Sequence, residues 1–154
     1  MLKKLRRSDR GMSIEAVTAL LDQADYGVLS TTGANGDAYG VPLSFIFVDD
    51  AIYFHGALEG HKVENILQNN KVSFCVVDGV EPLPEKFSMK YRSAIVFGKV
   101  SEVVGEEKLQ ALKCFVEKYA SQYMNNGIKY IDTDKEKTRV LKLNIEQISG
   151  KERI

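Results

Sequence analysis

Residues 53–62, reading Tyr53-Phe54-His55-Gly56-Ala57-Leu58-Glu59-Gly60-His61-Lys62, carry the side chains and spacing that point most directly to chemistry. A strand-like run ends at His55, glycines punctuate the backbone at Gly56 and Gly60, and Val63, Ile66 and Leu67 then fall at helical spacing. Free amides at a helix start and the helix dipole both favour an anion, and Lys62 adds a point charge in the first turn. The segment therefore suits a phosphate. It also reads as a tight turn in which Gly56 and Gly60 serve backbone geometry and Lys62 is solvated, and spacing alone does not choose. His55 can exchange a proton near neutrality or act as a structural hydrogen-bonding residue at a strand end. Arg92 and Ser93 offer a bidentate guanidinium and a hydroxyl to a phosphate or a polyol, although Arg92 reads equally as a surface arginine on a sheet.

Other chemistries find little support. The chain has 2 histidines, no His-Glu-x-x-His pattern and no Gly-x-Ser-x-Gly elbow, so no metal site and no hydrolytic nucleophile are expected. Cys75 lies in a strand-like run and Cys114 in a helix-like run without metal or dithiol spacing, as buried thiols of a reducing compartment would. Lysine plus arginine and aspartate plus glutamate balance at 21 each, which leaves no net field for nucleic acid. The apolar stretch over residues 41–48 is far short of the roughly 20 residues that span a bilayer, so no membrane partner is expected. The basic start, Lys3-Lys4-Leu5-Arg6-Arg7, runs into Ser8-Asp9-Arg10 rather than an apolar signal core, and the expectation is a cytoplasmic protein with a small-molecule partner.

The elements that position these residues follow from periodicity. With 44% hydrophobic and 27% charged side chains, residues 1–154 read as one domain. Ser13 is a plausible N-cap for an amphipathic helix over 13–24. Residues 26–55 read as a three-strand antiparallel meander, with turns at Gly33-Ala34-Asn35-Gly36-Asp37 and Asp49-Asp50. Its middle strand, residues 38–48, contains Pro42, which belongs on an edge or at a bulge and leaves backbone free. A short helix joins the third strand to a fourth over 71–77. Pro82 and Pro84 mark 78–88 as an extended loop. A long strand with a bend at Gly98, a second amphipathic helix through Leu109, Leu112, Phe115, Val116 and Tyr119, a polar and unassigned stretch over 121–135, and an alternating strand over 139–148 complete the chain. The expected architecture is mainly β with α: a six-stranded antiparallel β-barrel, closed or split, with flanking helices.

These residues together resemble a known family. The segment Tyr53-Phe54-His55-Gly56-Ala57 with Gly60-His61-Lys62, the opening Arg6-Arg7-Ser8-Asp9-Arg10, the strands Tyr26-Gly27-Val28-Leu29-Ser30-Thr31 and Tyr39-Gly40-Val41-Pro42-Leu43, then Tyr91-Arg92-Ser93, Gly98 and Ser149-Gly150-Lys151, are similar in the same order to the nitroimidazole-reductase-like branch of the pyridoxamine 5'-phosphate oxidase-like split barrels. The resemblance spans nearly the whole chain. It implies flavin mononucleotide (FMN) at the interface of a homodimer, with its phosphate near Gly60, His61 and Lys62 and its ring against Val41, Pro42, Leu43 and Ser44. It further implies that Phe54, His55, Arg92 and Ser93 lie near the cofactor, with His55 as the candidate catalytic residue.

The function implied is an FMN-dependent oxidoreductase acting on nitroaromatic or other small acceptors, the protein supplying orientation and electrostatics to the cofactor. The alternative is a non-catalytic protein that binds, stores or senses FMN, or heme through His55 or His61. Oxidation of pyridoxamine phosphate itself would need a second phosphate cradle, and only one candidate is present.

Overall fold

The Ser13 hydroxyl accepts a hydrogen bond from the Ala16 amide at 3.2 Å and starts α1 (Ile14–Gln23), whose Val17, Leu20 and Leu21 are buried against the sheet. In the computed structural model, which describes residues 3–154, this helix is followed by β1 (Gly27–Thr32), β2 (Ala38–Leu43), β3 (Ile46–Val48), β4 (Ala51–Ala57) and α2 (His61–Gln68). Then come β5 (Lys71–Leu83), β6 (Ser88–Val103), α3 (Gly105–Ala120), α4 (Met124–Asp134) and β7 (Thr138–Arg153). Met1 and Leu2, just before the basic start, lie outside the described residues.

All seven strands form one antiparallel sheet in the order β2-β1-β5-β6-β7-β4-β3. The two outermost strands, β2 and β3, are consecutive in sequence and separated by Ser44 and Phe45 alone, so the sheet curls until its rims meet along one incompletely paired seam. This is a split barrel, with seven strands rather than six. The extra strand has a physical cause. At the break, the Phe45 amide donates to the Tyr119 hydroxyl at 3.0 Å, and the Phe45 carbonyl accepts from Lys118 Nζ at 2.9 Å and from the Tyr119 hydroxyl at 2.9 Å. Side chains of α3 thus satisfy backbone groups that a continuous strand would have paired with a neighbour. The three-strand meander is corrected by the same break: β1 and β2 pair, but β4 lies at the opposite rim, between β3 and β7.

Pro42 pairs with Val28 on a strand that has a neighbour on one side only, the edge position its missing donor requires. The left-handed Asp49-Asp50 pair, at φ 50° and 58°, makes the tight turn between β3 and β4. Gly98 sits where β6 shifts register against β7; a side chain there would run into the Asn144 carbonyl. Inside the barrel Phe45, Phe54 and Phe74 are fully buried, and Phe74 meets both others edge-on at 4.9 and 5.0 Å. Each such burial stabilises by about 1.5–3 kcal/mol.

Two segments depart from expectation. Residues 78–88 are not an extended loop but the tip of a long hairpin: β5 continues to Leu83 across a bulge between Asp78 and Glu81, a 3-10 turn covers Pro84–Lys86, and β6 begins at Ser88. Residues 121–135 hold α4, which buries Ile131 and lays Gly127 against Val116 of α3. A second buried cluster under α3 and α4 covers the outer faces of β3, β4 and β7.

Candidate functional site

The seam leaves strand edges free. On β4, β3 pairs only with Ala51, Ile52 and Tyr53, whereas β7 pairs with every residue from Ala51 to Ala57. Beyond Tyr53, the edge of β4 that faces away from β7 therefore has no strand partner, and β2 pairs only with β1. The first turn of α2 lies over this opening. The His61 ring stacks on Tyr39 of β2 at 4.0 Å, and the Lys62 ammonium lies over Gly56 of β4, where a β-carbon would come within 3.3 Å of Nζ and 3.6 Å of Cε. Gly56 is thus the residue that lets the lysine cross the strand. Gly60 begins the helix at φ 145°, a region favouring glycine, and no side chain caps the first turn, so its amides stay available. Buried Asn65 anchors the helix by donating to Thr31 on β1 at 3.0 Å.

His55 lies next to this turn on the outer face of β4, its ring edge-on to Phe115 at 4.4 Å. Although part of its surface is open to solvent, desolvation by the protein around it, and then the Lys62 charge, push its imidazole below the ordinary histidine range. Ser44, at the strand break, and His55 both border a cavity of about 280 Å³ roofed by α3 and α4. Neither side chain makes a hydrogen bond among the described residues. Lys118, which holds the Phe45 carbonyl, also lies 4.0 Å from the Phe45 ring centre, and burial pushes its ammonium below the usual lysine range.

The structure brings Val41, Pro42, Leu43, Ser44, His55, Gly60, His61 and Lys62 to one seam. Val41 and Leu43 are half-buried with their side chains packed on the barrel core, and Pro42 and Ser44 are exposed. Phe54 has its side chain fully buried inside the barrel, which leaves only its backbone for a ligand at the seam. Arg92 and Ser93 are not brought there within one chain. The row Pro42, Val28, Cys75, Ile95 runs across four strands, so Ile95 and its neighbour Ser93 sit three strands from Pro42, roughly 14 Å across the sheet. Arg92 instead holds Asp78 at 2.9 Å, and the Ser93 hydroxyl donates to the Lys151 carbonyl at 3.2 Å.

Sequence reasoning missed the roles of Tyr39, Lys118 and Tyr119 at the seam. Tyr39 has an even strand position that gives no hint of its stacking on His61. The α3 pair acts on a strand break that the 38–48 run conceals. Arg139, paired across the sheet with Gly56, was also passed over: its Nη1 donates to Glu102 at 3.0 Å while its buried Nε has no partner.

The arrangement suits a phosphate-bearing planar ligand: amides, Lys62 and a glycine-cleared backbone at one end, and free strand edges with Ser44 and His55 at the other. Among the described residues no group of His, Cys, Asp and Glu could hold a metal ion, and no helix is long and apolar enough to cross a membrane.

No curated protein sequence matches the chain. Among solved structures, a candidate 5-nitroimidazole antibiotic resistance protein from Bacteroides thetaiotaomicron is 26% identical, with a TM-score of 0.75 over 92% of this chain and 85% of its own. A FAD-binding protein from Mesorhizobium loti has a TM-score of 0.69 at 22% identity over 94% and 98% of the two chains, and a FAD and heme binding protein from Mycobacterium smegmatis 0.67 at 20% over 91% and 71%. The last two similarities show the shared fold. Residues 13–152 match the family described as Pyridoxamine 5'-phosphate oxidase, and the chain belongs to that family.

Proposed function

We propose that the seam binds FMN and that the protein is a flavin-dependent oxidoreductase acting on small molecules, as a homodimer with the cofactor between subunits. The observation that carries this reading is the α2 turn, with uncapped amides beside an ammonium that packs over Gly56 at the strand edge. His61 and Lys62 hold the phosphate with those amides, Gly60 shapes the turn, and Val41, Pro42, Leu43 and Ser44 present an edge strand to the ring. Bound there, the flavin supplies reversible electron transfer. His55, kept neutral at pH 7 by its surroundings, orients the polar edge of cofactor or substrate and can pass a proton to it.

Two observations support the dimer. Val28, Ile95 and Phe97 form an exposed apolar face on β1 and β6, and Arg92 and Ser93 border it far from Lys62 of their own chain. A second copy covering that face gives Arg92 and Ser93 access to a cofactor bound by its neighbour. Cys75 and Cys114 are free thiols whose burial raises them above the usual range, in keeping with a reducing cytoplasm.

The test is the absorption spectrum of freshly purified protein, repeated after adding FMN. Flavin bands that persist through desalting and weaken in Lys62→Ala support the reading. A Soret band replaces it with heme binding, and flavin retention without oxidation of any reduced donor replaces catalysis with storage or sensing.

A further inference from the structure

Beyond the barrel, β5 and β6 run on together as a ribbon. β1 pairs with β5 only over residues 73–75, and β7 pairs with β6 no further than Tyr91, so residues 81–90 have no third strand beside them among the described residues. We propose that this ribbon is an arm that lies across a second copy of the chain, apolar side down, and shields the cofactor bound there from solvent. The inference deepens the proposed function by naming what the partner adds to the site, and rests on it for the dimer and the flavin.

The register gives the ribbon two unlike sides. On β6, Met89, Tyr91, Ser93, Ile95 and Phe97 alternate onto one of them, where Val77 of β5 pairs with Ser93 and, past the bulge, Pro82 pairs with Met89. The other side carries charge: Arg92 holds Asp78 at 2.9 Å, and Lys90 lies 3.8 Å from Glu81. Val77 and Met89 are exposed, and Phe87 at the tip is 98% exposed although its backbone is left-handed at φ 46°. A hairpin of two strands alone is marginal in water, and a bulky residue held left-handed adds strain. The apolar side therefore gains by being covered.

Two observations name the occupant. On β5 and β6 the apolar side of the ribbon continues, with no charged residue between, from Ile95 and Phe97, the face already given to a second copy. Covering the ribbon thus extends one isologous contact instead of starting another. The ribbon's charges, moreover, are paired on the opposite side, and Glu85 and Lys86 offset each other at the tip, so nothing here attracts an anionic lipid surface. Met89 lies about 13 Å beyond Ser93 on the same side of β6, at roughly 3.3 Å per residue. With Ser93 at the partner's cofactor, the ribbon runs alongside that cofactor and closes its open side.

Sedimentation velocity over a concentration series compares the full protein with Met89→Asp, Phe87→Asp and, on the charged side, Lys90→Gln. Each aspartate variant should raise the dimer dissociation constant at least about tenfold, and Lys90→Gln should leave it unchanged. Trypsin cleavage after Lys86 and Lys90 should slow at concentrations where the parent dimerises, a readout that needs no variant. Where all the proteins are dimeric, acrylamide should quench the fluorescence of bound FMN more strongly in the aspartate variants than in the parent. Unchanged dimer strength in both aspartate variants, or cleavage independent of concentration, overturns the arm and leaves the dimer standing. A chain that is monomeric throughout overturns the arm and the dimer reading together, and equal quenching overturns the shielding. Flotation of the parent, but not of Phe87→Asp, with phosphatidylserine vesicles puts a membrane in place of the second copy and overturns the proposal as well. Protein that passes the sedimentation and proteolysis tests but takes up no FMN upholds the arm, and overturns the shielding along with the flavin reading.

Discussion

Gly56→Ala separates a role in ligand binding from a role in folding. A methyl at this position would lie 3.3 Å from Lys62 Nζ and 3.6 Å from Cε, a few tenths of an ångström tighter than comfortable packing. The obstacle is the tip of a flexible side chain rather than backbone, so the lysine gives way and stability should change by less than about 1 kcal/mol. The displaced ammonium, however, meets an anion held by the α2 amides less closely. A charge-assisted hydrogen bond contributes about 1.5–3 kcal/mol, so Lys62→Ala should weaken FMN binding roughly 10- to 150-fold. Gly56→Ala shifts that bond without deleting it and should cost about 0.5–1 kcal/mol, a two- to fivefold loss. The assay is flavin fluorescence titration of both single variants and the double variant, with thermal melts alongside. In the double variant Gly56→Ala should add nothing, because its effect acts through Lys62. An equal further loss in that background, or a Lys62→Ala variant that binds FMN like the parent, refutes the reasoning.

Three further outcomes follow from the geometry. Tyr119→Phe removes the acceptor of the buried Phe45 amide and should destabilise by about 1–3 kcal/mol, seen as a lower melting temperature. Gly98→Ala drives a methyl into the Asn144 carbonyl at the β6–β7 bulge, and denaturant titration should show a loss above about 2 kcal/mol. In an NMR titration His55 should protonate below its ordinary 6.5, and Lys62→Ala should move that midpoint upward by removing a neighbouring cation. Because folding disfavours the His55 imidazolium, stability present above about pH 6.5 should be lost as pH falls through the folded midpoint, and His55→Gln should flatten that decline in pH-dependent melts.

What was legible in the sequence was mostly local. Ser13 caps its helix, Pro42 occupies an edge strand, Asp49-Asp50 turns the chain and Gly98 marks a bulge, each set by the conformational limits of that residue. The Gly60, His61, Lys62 turn was legible for the same reason. Long-range pairing was not. The β2–β3 break at Ser44 and Phe45 depends on Lys118 and Tyr119, more than 70 residues away, and no period in 38–48 reveals it. The strands of residues 78–88 were hidden by prolines that the hairpin accommodates beside a bulge. Helix α4 was hidden by its polar composition and by Gly127 inside it, since it is held by packing on α3 rather than by propensity.

The claim that the α2 turn grips a phosphate is tested most directly by titrating cofactor-free protein with FMN and, in parallel, with riboflavin, which has the same ring and no phosphate. Saturable FMN binding with riboflavin at least about tenfold weaker is the predicted result. Equal affinities, or no uptake of either molecule by folded protein, would contradict it.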